Sequence, residues 1–82
     1  MKYYTYILYS EKLNRYYIGY SEDVESRLVK HNQKHVGYTA KANDWKIVWT
    51  QEFNSKKEAL DREKAIKKKK SRKYIEYLVG NF

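Results

Sequence analysis

Two short tyrosine-rich runs near the amino terminus constrain the fold of this chain more than any other feature. Residues Tyr3 to Tyr9 are aromatic or β-branched at nearly every position, and Arg15 to Tyr20 repeat that character after a short polar link. Such side chains favour the pleated, half-buried surface of a sheet, so the two runs predict a β-hairpin. Gly19 interrupts the second strand, which is typical of a bulge or of a point where another backbone or a ligand approaches closely.

A helix is predicted directly after the hairpin. Residues 21–23 are Ser, Glu and Asp, which supply N-cap oxygens and favourable carboxylates, and the helix runs from Val24 to about Lys34. The polar loop that follows extends from Gln33 to Asp44 and contains a lone tyrosine, Tyr38. This loop is long enough to have a function of its own.

A third strand and two further helices complete the prediction. Apolar and polar residues alternate from position 45 to 53, which places on one face Trp45, Ile47, Trp49 and Phe53. A capping box at residues 55–58 begins a helix that runs to about Lys70, and Ser71 caps a last short helix. We therefore expect one α+β domain over residues 1–82, with a small three-stranded antiparallel sheet flanked by helices.

The composition excludes several classes of protein. The chain has no cysteine, which rules out a disulfide framework and thiolate metal sites, and its two histidines make a structural zinc site improbable. No apolar run approaches the length of a membrane span, and no signal-peptide core is present. We expect a cytoplasmic protein with no membrane association.

Positive charge is concentrated in the carboxyl-terminal third of the chain. Residues 1–53 carry 8 Lys or Arg against 6 acids, a net of +2, and residues 54–82 carry 10 against 4, a net of +6. A surface of this kind favours nucleic acid over acidic lipid, because no amphipathic apolar face accompanies the lysines. With Tyr38 of the loop, the residues predicted to contact nucleic acid are Lys67, Lys68, Lys70, Arg72 and Lys73. The same basic run also fits a solvated helix face, and both interpretations stay open.

Polar residues interrupt the apolar stripes of the two longer helices. Arg27 and His31 share the i, i+3, i+4, i+7 spacing of a buried face with Val24 and Leu28. They either flank the stripe and reach water or point together at an anion. On the second helix Glu63 interrupts the stripe in the same way, and it either pairs with Arg27 or a lysine or binds a divalent metal.

The order of these features resembles the GIY-YIG nuclease domain, which is named after two short motifs on adjacent strands. Tyr4-Thr5-Tyr6 is similar to the first motif, with Tyr4 in place of glycine, and Tyr17-Ile18-Gly19 matches the second. Arg27, His31 and Glu63 follow in the order of the family's other motifs. The likeness spans nearly the whole chain and is greatest to short bacterial members, which also carry a segment like residues 37–40.

The resemblance implies a metal-dependent endonuclease that hydrolyses DNA, more than RNA, in repair or recombination. Glu63 would hold a single divalent ion, Mg²⁺ or Mn²⁺, and Arg27 would stabilise the transition-state charge on the phosphate. Tyr17 or Tyr6 would deprotonate or orient the attacking water, and His31 would assist that tyrosine or the leaving group. Phosphodiester hydrolysis builds negative charge on oxygen, which a metal ion and a fixed guanidinium both stabilise.

Two other functions stay open at the level of the sequence. A domain of the same fold that binds nucleic acid with weak or no turnover is the main alternative. A binder similar to the RNA-recognition motif is a third, because residues 15–20 resemble an aromatic stacking strand. That module has four strands and places its aromatic strand after the first helix, so it fits this chain least well.

Overall fold

A computed structural model describes residues 1–33 and 42–80, and in these ranges it contains three strands and three helices. In chain order they are β1 (Tyr3–Ser10), β2 (Arg15–Ser21), α1 (Val24–Asn32), β3 (Lys46–Phe53), α2 (Lys56–Lys69) and α3 (Arg72–Gly80). The strands form one antiparallel sheet in the order β2-β1-β3. The predicted α+β class with a small three-stranded antiparallel sheet is confirmed. Tyr38 lies outside the described residues.

The hairpin of β1 and β2 is fixed by its turn and by the carboxylate of Asp44, which precedes β3. Asn14 adopts a positive φ of 51°, and its side-chain oxygen accepts a hydrogen bond of 2.8 Å from the hydroxyl of Tyr9. Asp44 accepts from the Ser10 hydroxyl at 2.6 Å and from the backbone N–H of Lys12 at 2.9 Å. These bonds set the register in which Tyr6 lies directly opposite Gly19.

The sheet separates two small apolar clusters. On one face α1 packs over a cluster of buried residues made of Tyr6, Leu8, Val24, Ala42 and Trp45. On the other face α2 and α3 pack over a cluster made of Ile7, Ile18, Trp49 and Ile66. Each helix layer thus has its own core, and β2 is the edge strand beside both layers.

The predicted alternation of β3 on a single face is wrong, because the strand contains an irregularity. Ile7 pairs with Trp49, whereas its neighbour Leu8 pairs with Ile47, so Val48 is an extra residue in the ladder. An extra residue reverses the direction of every side chain beyond it. Trp49 therefore packs beneath α2 and α3, on the face opposite to Ile47.

Caps and tertiary hydrogen bonds position the helices. Ser55 accepts from the backbone N–H of Glu58 at 3.2 Å and caps α2, while Asp23 caps α1 in the same manner. The buried hydroxyl of Thr5 on β1 donates to the carbonyl of Ala59 at 2.7 Å and holds α2 against the sheet. The described residues include no helix long and apolar enough to cross a bilayer.

Candidate active site

The absence of a side chain at Gly19 allows the phenol of Tyr6 to cross the edge strand. A Cβ at Gly19 would lie 2.6 Å from the hydroxyl oxygen of Tyr6, 2.7 Å from its Cζ and 3.2 Å from the ring of Tyr17. No side chain fits into such a contact without displacing the phenol. Gly19 therefore marks a close approach, and the approaching group is a side chain, where the prediction named a backbone or a ligand.

Four of the predicted site residues surround the hydroxyl of Tyr6. Its oxygen lies 3.1 Å from Nε2 of His31, and Arg27 makes a side-chain hydrogen bond to the same hydroxyl. The ring of Tyr17 is tilted against that of Tyr6, with 6.4 Å between centroids, and it lies 4.7 Å from the ring of His31. Glu63 is close enough to act on the same hydroxyl by its charge.

The environment of Tyr6 keeps its hydroxyl protonated. Burial is the largest cause that raises its pKa to about 12, and the nearby Tyr17 and Glu63 act in the same direction. Arg27 opposes the shift by its hydrogen bond and its charge, because both favour a phenolate. At neutral pH Tyr6 is thus a hydrogen-bond donor, and with the Nδ1–H tautomer of His31 it donates to Nε2 while its oxygen accepts from Arg27.

Arg27 reaches this cluster from the solvent side. Its side chain is exposed, and it lines a shallow cleft of about 280 Å³ together with Tyr20, Glu22 and Lys56. His31 is half-buried behind it on the same helix. Arg27 thus reaches water, as the first interpretation of these polar positions expects, and both side chains also approach the hydroxyl of Tyr6.

Glu63 reaches the same edge of the sheet from α2, on the opposite face. Its side chain is only 13% exposed, and its carboxylate forms an ion pair of 2.7 Å with Nζ of Lys67, one turn further along the helix. Since β2 is an edge strand and Gly19 has no side chain, helices on both faces approach the Tyr6 hydroxyl. The cation that compensates Glu63 is Lys67.

The donor set around Glu63 fits a loosely held divalent ion. No group of three His, Cys, Asp or Glu residues that could hold a metal occurs in residues 1–33 and 42–80. Magnesium binds through one or two carboxylates and keeps several waters, with further oxygens from a substrate phosphate. One recessed carboxylate suits that kind of site and does not suit a closed protein cage.

The basic residues predicted to contact nucleic acid fall into distinct environments. Lys68, Lys70 and Lys73 are exposed, whereas Lys67 is paired with Glu63. Arg72 donates two bonds to Asn14, at 2.8 and 2.7 Å, and one to Glu76 at 3.2 Å. Its guanidinium also lies over the ring of Tyr16 at 5.1 Å, so Arg72 ties α3 to the hairpin.

Two residues of this region were not singled out from the sequence. Asn32 donates to the carbonyl of Trp45 at 2.9 Å and accepts from its N–H at 2.7 Å, which joins the end of α1 to the start of β3. Arg15 opens β2 and lines a cleft with residues of α2 and α3. The i, i+4 spacing of Glu63 and Lys67 could have predicted their ion pair. No pattern in the neighbouring sequence indicated the contacts of Asn32 or Arg15.

The three-stranded sheet thus gathers a buried phenol, a guanidinium, an imidazole and a recessed carboxylate at one edge. The family model of the GIY-YIG catalytic domain matches residues 2–75. The chain belongs to this family, which is a family of nucleases.

Comparison with individual proteins gives the same family. A UPF0213 protein from Streptococcus pneumoniae is 40% identical over 67 residues, which are 80% of this chain and 68% of that protein. A UPF0213 protein from Staphylococcus saprophyticus is 39% identical over 67 residues, 80% of each chain. The solution structure of a UPF0213 protein from Bacillus halodurans matches with a TM-score of 0.59 and 37% identity, over 98% of this chain and 84% of that one.

Proposed function

We propose that this protein is a metal-dependent endonuclease that hydrolyses phosphodiester bonds of DNA, in repair or recombination. The observation that carries the proposal is the convergence on Tyr6 of groups from the hairpin and from both helix layers. A scissile phosphate bound by the exposed guanidinium of Arg27 would lie at the edge of the sheet where an imidazole, two phenols and a carboxylate also gather.

Arg27 is the group that stabilises transition-state charge. Its guanidinium lies near the Tyr6 hydroxyl and is open to solvent, so a phosphate can approach it directly. Charge that develops on the phosphate oxygens in the transition state strengthens this interaction relative to the ground state.

Tyr17 is the better of the two tyrosines for orienting or deprotonating the attacking water. Tyr6 is almost entirely protonated at neutral pH, because burial raises its pKa to about 12, so little phenolate is present to accept a proton. Its hydroxyl is also engaged by His31. We assign Tyr6 the role of holding Arg27 and His31 in place. His31, against the ring of Tyr17, assists that tyrosine or the leaving group.

Glu63 is the proposed ligand of one Mg²⁺ or Mn²⁺. A divalent ion bound there would supply Lewis-acid stabilisation of the phosphate and lower the pKa of a bound water. The Glu63 carboxylate would then exchange its ion pair with Lys67 for the metal.

Nicking of supercoiled plasmid in Mg²⁺, Mn²⁺ or EDTA tests the proposal, using Glu63→Gln and Arg27→Ala. Asp61→Asn on α2 and Lys30→Ala on α1 are the matched controls, since both side chains are exposed. We expect metal-dependent nicking that falls by about 10²-fold or more in the two site variants and is unchanged in the controls. Full activity of Glu63→Gln, or nicking in EDTA, contradicts the proposal.

The ion pair between Glu63 and Lys67 supports a second candidate function. A lysine that already satisfies the carboxylate allows a domain that binds nucleic acid without metal and without turnover. In that case wild-type protein would bind DNA with steep salt dependence, would not nick it in any metal, and would bind equally well as Glu63→Ala.

A further inference from the structure

A second concave site lies next to the candidate active site, on the α2 and α3 side of the sheet. It is a cleft of about 340 Å³, within the size range of small-ligand sites. The start of β2 forms one wall, and the end of α2 and the start of α3 form the others. We call it the basic cleft.

The rim of the basic cleft is cationic. It carries Arg15, Lys67, Lys70 and Arg72, and no Asp or Glu of residues 1–33 and 42–80 lines it. Arg72 is held by Asn14 and Glu76, and Lys67 by Glu63, whereas Arg15 and Lys70 have no ion-pair partner among the described residues. Two uncompensated cations beside two fixed ones create a positive potential that suits a phosphate.

The floor of the same cleft is apolar. Ile18 and Ile66 lie at its base, and the half-buried Ile75 forms its side. The ring of Tyr16 contributes only an edge, since Tyr9 packs against it at 4.9 Å between centroids and Arg72 lies over it. The backbone of a duplex offers phosphates and sugars to such a cleft, whereas an unpaired nucleotide offers an anion and an apolar base together.

Lys67 connects the basic cleft to the candidate active site. Lys67 lines the cleft and bonds to Glu63, and Lys70 is the C-cap residue directly after α2, with a positive φ of 49°. Glu63 lies six residues before Lys69, the last residue of α2, which is a separation of about 9 Å along the helix axis. A strand with its scissile phosphate at Glu63 would therefore pass directly into the cleft.

We propose that the basic cleft binds an unpaired nucleotide of the substrate strand, next to the scissile phosphate. The phosphate of that nucleotide contacts Arg15 and Lys70, and its base lies against the isoleucine floor. The proposal rests on the proposed function in one respect, namely that the same strand crosses the site at Glu63. It predicts a preference for single-stranded or branched nucleic acid over continuous duplex.

The test is fluorescence anisotropy in EDTA with a labelled oligothymidine of about 12 nucleotides, a fully abasic strand of the same length, and a blunt duplex. Arg15→Glu and Lys70→Glu reverse the charge of the rim at two places. Lys46→Glu makes the same change in net charge on β3, at the opposite edge of the sheet, and is the control. The folding of each variant is checked by its thermal midpoint, and oligouridine distinguishes RNA from DNA as the source of the strand.

We expect wild-type protein to bind oligothymidine about 10-fold more tightly than the abasic strand. Each rim variant should weaken oligothymidine binding about 10-fold more than Lys46→Glu does, while duplex binding falls equally in all three. Equal affinity for the abasic strand, or equal effects of Lys70→Glu, Arg15→Glu and Lys46→Glu, overturns the proposal. Because these titrations involve no cleavage, they test nucleotide binding in the basic cleft independently of the proposed nuclease activity.

Discussion

At the scale of single residues, Gly19 and Tyr6 form the contact on which the candidate site depends. The phenol passes through the space where any other residue at position 19 would have a Cβ, at 2.6 Å from the hydroxyl. The hydroxyl then orients Arg27 and His31. A glycine in the second family motif is thus explained by the position of the tyrosine in the first.

Gly19→Ala should destabilise the protein and displace Tyr6. The new methyl group overlaps the phenol, and overpacking of this kind costs about 1–3 kcal/mol of the free energy of unfolding. Urea denaturation measures the loss. Gly80→Ala is the control, because a Cβ there meets nothing within 4 Å, and it should change the free energy of unfolding by less than about 0.5 kcal/mol. Equal effects of the two substitutions would refute the steric account.

Tyr6 should also make stability depend on pH in the alkaline range. Its pKa is raised to about 12 in the folded state, so the unfolded chain loses this proton first as pH rises. Its contribution is complete below about pH 10 and is lost between about pH 10 and 12, with a size of at most about 3 kcal/mol.

Denaturation of wild-type protein and Tyr6→Phe across that pH range isolates this contribution from the other tyrosines. The difference between the two free energies of unfolding should change steadily above pH 10, in the sense that the wild-type protein loses more stability. A difference that stays constant up to about pH 12 would mean that the hydroxyl titrates normally.

At the scale of elements, α2 carries both Glu63, the carboxylate of the candidate active site, and Lys67, the lysine that pairs with it. Lys67→Ala should strengthen binding of Mn²⁺, because the lysine and the metal compete for Glu63. The gain should be about fivefold, equivalent to about 1 kcal/mol for a partly exposed ion pair. Calorimetric titration measures it, with Lys64→Ala as the control on the same helix. Unchanged or weaker Mn²⁺ binding in Lys67→Ala argues against Glu63 as the ligand.

Asn32, at the end of α1, is joined by two hydrogen bonds to the backbone of Trp45, directly before β3. Asn32→Ala removes both hydrogen bonds to the backbone of Trp45 and leaves part-buried groups unsatisfied. A loss of about 1–3 kcal/mol in the free energy of unfolding is expected from urea denaturation. Asn54→Ala, which removes only an exposed bond to Lys2, should cost much less. A loss no larger than that of Asn54→Ala would mean that the two hydrogen bonds of Asn32 do not stabilise the junction of α1 and β3.

Local patterns predicted the elements well and the long-range contacts poorly. The capping box at Ser55 and the polar residues at 21–23 placed the starts of α2 and α1 because capping depends on neighbours in sequence. The extra residue at Val48 was missed because periodicity in one strand contains no information about the ladder it joins. The hydrogen-bond partners of Arg72 and Asn32 lie in other elements of the fold. The sequence therefore showed only that Arg72 is basic and Asn32 is polar, and it did not predict their contacts.

At the scale of the whole molecule, the sheet divides a thin core into two clusters, and the edge strand brings their helices together. α1 contributes Arg27 and His31 from one face, and α2 contributes Glu63 from the other. Most of the excess positive charge lies on the side of α2 and α3, next to the carboxylate. A polyanion attracted to that side reaches the basic cleft and the candidate active site together.

The most direct test of this account is the rate of single-turnover cleavage of a branched DNA by Arg27→Ala, Glu63→Gln and the double variant. If both side chains act on one phosphate, each single substitution removes most of the rate, and the double variant is about as slow as the slower single one. The account is contradicted if the two losses multiply, which would mean independent roles, or if either single variant cleaves as fast as the wild-type protein.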